Sequence, residues 1–122
     1  LAPPDYPWLR QFEAHLPFTA SLTIHFPNDE RLVIFNAASP VSARKTRLFV
    51  PIARNFNLEQ PVEEVHDFNL RVFEEDRAMV ELQKPERLPL DMALEAHIPA
   101  DRSSIAYRRG LKKMGFGEFF LA

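Results

Sequence analysis

The hydrophobic spacing of this chain changes at Pro61, and that change limits what the chain can fold into. Before Pro61, apolar side chains recur every second residue: Leu22, Ile24 and Phe26 alternate with Ser21, Thr23 and His25. That is the pattern of a strand with one apolar and one polar face. Beyond it, Val62, Val65, Asn69, Val72, Phe73, Asp76, Met79, Val80 and Gln83 fall at helical spacing with charges between them. An α+β chain is expected, with an antiparallel sheet packed on one long helix.

Strands are expected at about Thr19 to Phe26 and Arg31 to Ala37, joined as a hairpin through Pro27, Asn28, Asp29 and Glu30, with Pro40 ending the second. A third is expected from Thr46 to Arg54, although Pro51 has no N–H for a ladder and belongs at an edge or a bulge. Residues 1–17 carry four of the eleven prolines and read as an irregular lead-in with at most a short helix around Trp8 to His15. The helix between Pro61 and Pro85 would run about 23 residues, or roughly 35 Å. After it, Leu88, Leu90, Met92, Leu94, Ala96 and Ile98 alternate with other residues in a strand-like way. Asp101 is a good N-cap for a last helix, Arg102 to Met114, which Gly115 would terminate.

Composition excludes several functions. No apolar run approaches the roughly 18 to 20 residues that span a bilayer, and a net charge of -2 lacks the cationic excess of a nucleic-acid surface, so no nucleic-acid partner is expected. Without cysteine, the chain can ligate neither an iron–sulfur cluster nor a thiolate zinc. Three glycines leave little for a phosphate-cradling loop, while 11 phenylalanines give a heavy apolar load. The chain opens at Leu1 without a basic-then-apolar leader, so a processed chain or an excised piece of a longer one is expected.

Asp76 is the informative residue. Its neighbours three and four positions away are Val72, Phe73, Met79 and Val80, all apolar, whereas Glu74, Glu75 and Glu81 lie near Arg71, Arg77 or Lys84. Asp76 is therefore expected to point inward, mostly buried, toward the sheet. A lone buried carboxylate costs several kcal/mol unless paired, protonated or bound to a cation. A structural carboxylate bonded to backbone or arginine and a functional one both satisfy that requirement. His15, His25, His66 and His97 show no metal-ligand spacing. Arg108, Arg109, Lys112 and Lys113 read as a solvated helix face near a C-terminus, with docking of an electron donor or another partner as the alternative.

The segments VFEEDRAMVELQKPERLPLDMALEAHIPADRSSIAYRRGLKKMGFG and IFNAASPVSARKTRLFVPIARNF resemble the C-terminal part of the catalytic domain of a Rieske-type non-haem iron oxygenase α subunit. The branch is that of vanillate demethylase and pheophorbide a oxygenase-like enzymes, among the aromatic ring-hydroxylating oxygenases. The resemblance runs from about Phe18 to Gly115. It rests on the Pro40 turn, the Arg54-Asn55-Phe56 triplet, the acid run inside the long helix with Glu81 beyond, and the Ala-Asp-Arg cap before Ile105.

The resemblance implies a mononuclear Fe(II) held by two histidines and one carboxylate, with Asp76 on the carboxylate position. It further implies a Rieske 2Fe-2S cluster in the parent protein, a reductase or ferredoxin electron donor, a cytoplasmic setting and a homotrimer. The reaction class would be O2-dependent hydroxylation or oxidative demethylation of an aromatic or other apolar small molecule. The implied fold is the helix-grip, START and Bet v1-like, in an incomplete copy over residues 18–122. Ile34, Asn36, Phe49, Asn69, Val72 and Phe73 would then contact the substrate. The Rieske motifs and the two-histidine segment are absent from this chain, so the rest of the oxygenase chain becomes its partner and the fragment alone is expected to be inactive. The rival reading is a helix-grip module that binds an apolar ligand without redox chemistry, and a structural or oligomer-forming domain is a third.

Overall fold

The computed structural model describes residues 3–117. Five antiparallel strands form one sheet: β1 (Leu9–His15), β2 (Thr19–His25), β3 (Arg31–Ser42), β4 (Lys45–Phe49) and β5 (Ile52–Arg54). The order is β1-β2-β3-β4, with β5 also paired to β3. Two helices follow, α1 (Val62–Glu81) and α2 (Arg102–Lys113), which makes the chain α+β. Neither is long and apolar enough to cross a membrane.

The first strand takes the place of the irregular lead-in, with at most a short helix around Trp8 to His15, that the sequence suggests. Phe12 and Ala14 sit opposite Leu22 and Ala20, so their alternation with Gln11, Glu13 and His15 continues the faces of β2. The prolines that make this stretch look irregular lie outside the strand. Between β2 and β3 the expected turn forms over Pro27–Asp29, with Asn28 and Asp29 at φ of 61° and 58°. Asn and Asp tolerate this left-handed region better than most residues.

Pro40 does not end β3, which continues to Ser42. Pro40 pairs with Thr46, and the register shifts between Pro40 and Ser42, so the missing N–H falls at a bulge. The extra length lets β3 serve two partners. Ala37 and Ala38 face Phe49 and Leu48 of β4, while Ile34 and Leu32 face Ile52 and Arg54 of β5. The single strand expected from Thr46 to Arg54 is therefore two, broken at Val50 and Pro51, where the Pro51 carbonyl still accepts from the Phe35 N–H at 3.0 Å.

Arg54, Asn55 and Phe56 knot this end of the sheet. The Asn55 side chain accepts from the Arg31 N–H at 2.6 Å and donates to the Asp29 carbonyl at 3.1 Å. Arg54 donates to the Gln60 side chain at 2.7 Å, just ahead of α1, and the Phe56 ring lies 5.1 Å from that of Phe26. The entry to α1 is thus fixed to the sheet.

Pro61 occupies the N-cap of α1, which stops at Glu81, short of Pro85, and contains no buried residue. The strand expected over Leu88 to Ile98 is absent. Asp91 accepts from the Ala93 N–H at 3.0 Å and starts a 3-10 turn over Met92–Leu94, while Pro89 and Pro99 cannot donate to a ladder. Arg108 secures this segment instead, donating to the Pro89 carbonyl at 3.0 Å and to Glu95 at 2.6 Å, and bonding Ser104 within its own helix. This corrects the reading of Arg108 as part of a solvated face. It stands four residues from Ser104 and three from Leu111, on the inner side of α2, and is only 7% exposed. Leu90 and Leu111 are the buried apolar residues beside it. Gly115, at φ of 85°, ends α2 as expected, with the Phe116 N–H returning to the Leu111 carbonyl at 3.1 Å.

Candidate functional site

The side of the sheet that carries Asn36 and Leu48 faces α1 across an open groove of about 1500 Å³. Strand alternation places Asn36, Thr46 and Leu48 on that wall, and Val50 and Ile52 continue it. The opposite wall is α1, through His66, Asn69, Phe73, Asp76 and Val80. Leu88, Leu90, Leu111, Phe18 and Phe116 also line the groove, the last two rings meeting at 5.7 Å with their planes 72° apart. The volume exceeds the roughly 300–1,000 Å³ of sites that enclose a small ligand, because α1 stands off the sheet instead of packing onto it.

Asp76 lies on the helix and on the groove wall, as expected, but its side chain is exposed. That corrects the expectation of burial. Four apolar neighbours bury a carboxylate only when something covers them, and no residue of α1 is covered to that degree. Phe73 and Val80 share the groove with Asp76, whereas Val72 and Met79 turn to the helix flank. Asp76 stands about 60° round the helix from Phe73, toward the margin of the groove face.

The other acids of α1 that line the groove, Glu74 and Glu81, are engaged elsewhere. Arg77 reaches Glu74 at 3.1 Å and Glu81 at 3.5 Å, exposed pairs that add about half a kcal/mol or less each. Asp76 has no hydrogen bond or ion pair among the described residues. The amide of Asn69 donates to the Val65 carbonyl at 2.7 Å, which leaves its side-chain oxygen uncommitted, and Asn36 borders both this groove and a smaller one under α2.

Of the residues expected to meet a ligand, Asn36, Asn69 and Phe73 line the groove. Ile34 shares the sheet face of Asn36 but does not line it. Phe49 pairs with Ala37 and so projects from the other face; Leu48 takes the place it was expected to fill. Val72 lies out of phase with the groove face. Sequence reasoning missed Leu48, Val50 and Ile52, although their spacing of two is visible in the sequence.

A ferrous centre of two histidines and a carboxylate needs three ligands on one ion. His66 is ten residues from Asp76, about 15 Å along α1, too far to share an ion ligated at roughly 2 Å. The Nε2 atoms of His25 and His97 are buried without a partner, yet no group of three His, Asp or Glu able to hold a metal occurs among the described residues. The uncommitted carboxylate fits one ligand of such a set; the described residues do not supply the whole set.

Residues 10–115, from β1 to the end of α2, match the vanillate O-demethylase oxygenase C-terminal domain. The chain belongs to this family. It is similar to two proteins of Pseudomonas putida: methylxanthine N1-demethylase NdmA, 31% identical over 104 residues, and methylxanthine N3-demethylase NdmB, 28% identical over 104 residues. Each comparison covers 84% of this chain and 28% of the relative, so the chain spans little more than a quarter of these enzymes. The family is one of oxidoreductases that use a mononuclear iron and a Rieske cluster. Its match takes in both walls of the groove and Asp76, and it begins inside β1, within the stretch read from sequence as a lead-in.

Proposed function

We propose that this chain is the substrate-pocket and iron-carboxylate portion of a Rieske-type oxygenase, which removes a methyl group from, or hydroxylates, an aromatic or other apolar substrate when joined to the rest of its polypeptide. The observation that carries this reading is the uncommitted Asp76 carboxylate on the wall of a groove that apolar side chains line together with charged ones, Arg44, Lys45, Arg77 and Arg87 among them. The sheet and α1, half enclosing that groove, are read as an incomplete helix-grip fold of the START and Bet v1-like kind.

Removing a methyl group as formaldehyde consumes one dioxygen, two electrons and two protons and yields one water. The bound iron would supply the dioxygen chemistry, and the remaining polypeptide its two histidines and the Rieske cluster. This chain's own share is to offer one ligand through Asp76 and to orient the substrate. Leu48, Val50, Ile52 and Phe73 supply apolar surface for a flat ring. From opposite walls, Asn36 offers an amide donor to a carbonyl or ring nitrogen and the Asn69 oxygen an acceptor to a ring N–H, which suits the polar edge of an N-methylated heterocycle. The polypeptide that completes the ligand set would also close the groove and keep bulk water from the reacting methyl. A reductase or ferredoxin would deliver the electrons, and a homotrimer is the proposed assembly.

The test is Asp76→Ala in the full-length oxygenase. Mononuclear iron should fall to background and demethylation should be lost, while the visible absorbance of the Rieske cluster stays unchanged. Normal iron content with normal turnover would overturn the assignment. A full-length protein that binds an apolar ligand yet holds no iron would instead favour the non-enzymatic module.

A further inference from the structure

Part of the groove wall hangs on a single side chain. The sheet wall is held by its strand ladders, and α1 by the Arg54–Gln60 contact ahead of its first turn. Leu88 and Leu90 line the groove but belong to neither wall. They lie in the stretch between the helices, which has no ladder and whose regular structure is two 3-10 turns, Met92–Leu94 and Pro99–Asp101. From Leu88 to Ala96, the bonds of Asp91 to Ala93 and Leu94 are internal to the stretch. Among the described residues, both hydrogen bonds that tie it to the rest of the chain come from Arg108, to the Pro89 carbonyl at 3.0 Å and to Glu95 at 2.6 Å. Pro89 stands between the two leucines, and Leu90 is only 8% exposed.

Arg108 holds them from a fixed point. The Tyr107 hydroxyl donates to the Pro17 carbonyl at 2.7 Å, and Gly110 lies so close to Leu16 that a Cβ there would strike the leucine. Both contacts pin α2 to the turn between β1 and β2, so that Arg108 relays the position of the sheet to residues 89–95. Arg108 does not itself line the groove. Burial alone does not explain an arginine here, since an apolar side chain of similar volume would fill the inner face of α2 without the cost of desolvating a charge. What a guanidinium adds is direction: its planar fork aims separate N–H groups at the Pro89 carbonyl, Glu95 and Ser104.

We infer that Arg108 is a positioning residue for the substrate: through Pro89 and Glu95 it sets how far Leu88 and Leu90 reach into the groove, and so the bulk of the ring system that the groove accepts. The inference rests on the reading of the groove as the substrate pocket. Arg108 and Leu90 are already buried within this chain, whatever the remaining polypeptide covers.

The test uses the full-length holoenzyme and two probes that share one polar edge and differ in bulk, 1-methyluracil with one ring and 1-methylquinazoline-2,4-dione with two. Their dissociation constants are measured by calorimetry without dioxygen. In Arg108→Lys, whose ammonium cannot reproduce the fork, the ratio of the two constants should move roughly tenfold in favour of the two-ring probe. Iron content and the absorbance of the Rieske cluster should not change. Leu90→Ala, which opens the same wall directly, should move the ratio in the same direction. Glu95→Gln should do so by less, and it carries the test if Arg108→Lys fails to fold. A side chain needed only for folding would weaken both probes by a common factor and leave their ratio alone. An unmoved ratio, or one that moves toward the one-ring probe, in folded Arg108→Lys would overturn the positioning role, and the same result in Glu95→Gln decides it where the lysine variant does not fold. Wild-type protein that binds neither probe rejects the substrate-pocket reading and the positioning role together, whereas wild-type binding of both with an unmoved ratio in the variants rejects the positioning role alone.

Discussion

The two helices differ in what holds them. α2 has 12 residues and is fixed at three points: Leu111 buried at 6% exposure, Arg108 bonded to Pro89 and Glu95, and Tyr107 bonded to Pro17. α1 has 20 residues and buries none of them, its firm attachment being the Arg54–Gln60 contact ahead of its first turn. Helices in proteins draw most of their stability from packing an apolar face, not from length or propensity. The longer helix is therefore the less finished one. Its groove face carries the candidate ligand and waits on what lies across it, while α2 is complete on its inner side.

Stability measurements on the full-length protein can break that contrast. Leu111→Ala should cost about 3 kcal/mol in urea unfolding, the usual loss for a buried leucine. Arg108→Ala should cost about 2 kcal/mol, because it strands the Glu95 carboxylate and the Pro89 carbonyl. Tyr107→Phe should cost about 1 kcal/mol for its lost hydrogen bond. Burial pushes the Tyr107 phenol above its usual pKa of 10.0, so the folded state favours the protonated form. That contribution is intact below pH 10 and is lost as the pH rises past it; the Phe variant should lack this alkaline decline. Phe68→Ala in α1 should cost under about 0.5 kcal/mol if its side chain stays as exposed in the whole protein. A loss there as large as that of Leu111→Ala would show that the remaining polypeptide covers the outer flank of α1 as well as its groove face.

What could be read from sequence follows from how local the determining forces are. The β2–β3 hairpin is legible because Leu22 and Ile24 alternate cleanly and Asn28 and Asp29 suit a left-handed turn. The stop at Gly115 is legible for a similar reason, its φ of 85° being open to glycine. The Leu88 to Ile98 stretch alternates too, yet it forms no strand, since a strand needs a neighbour and the guanidinium of Arg108 claims the segment first. Arg108 and Arg109 are adjacent and identical, and only the packing of α2 decides that one is buried and the other free. For Asp76 the helix and its approximate phase are local properties, whereas burial depends on polypeptide across the groove. The burial expectation failed on that second point. Phe49 lies one residue out of phase with the groove, because the alternation that brings Leu48 into it turns Phe49 away.

Anomalous diffraction at the iron edge, from crystals of the full-length oxygenase, tests the central claim most directly. The account predicts one mononuclear iron peak beside α1, with an Asp76 carboxylate oxygen about 2 Å away. A mononuclear iron bound elsewhere, with the Asp76 carboxylate still in solvent, would contradict it.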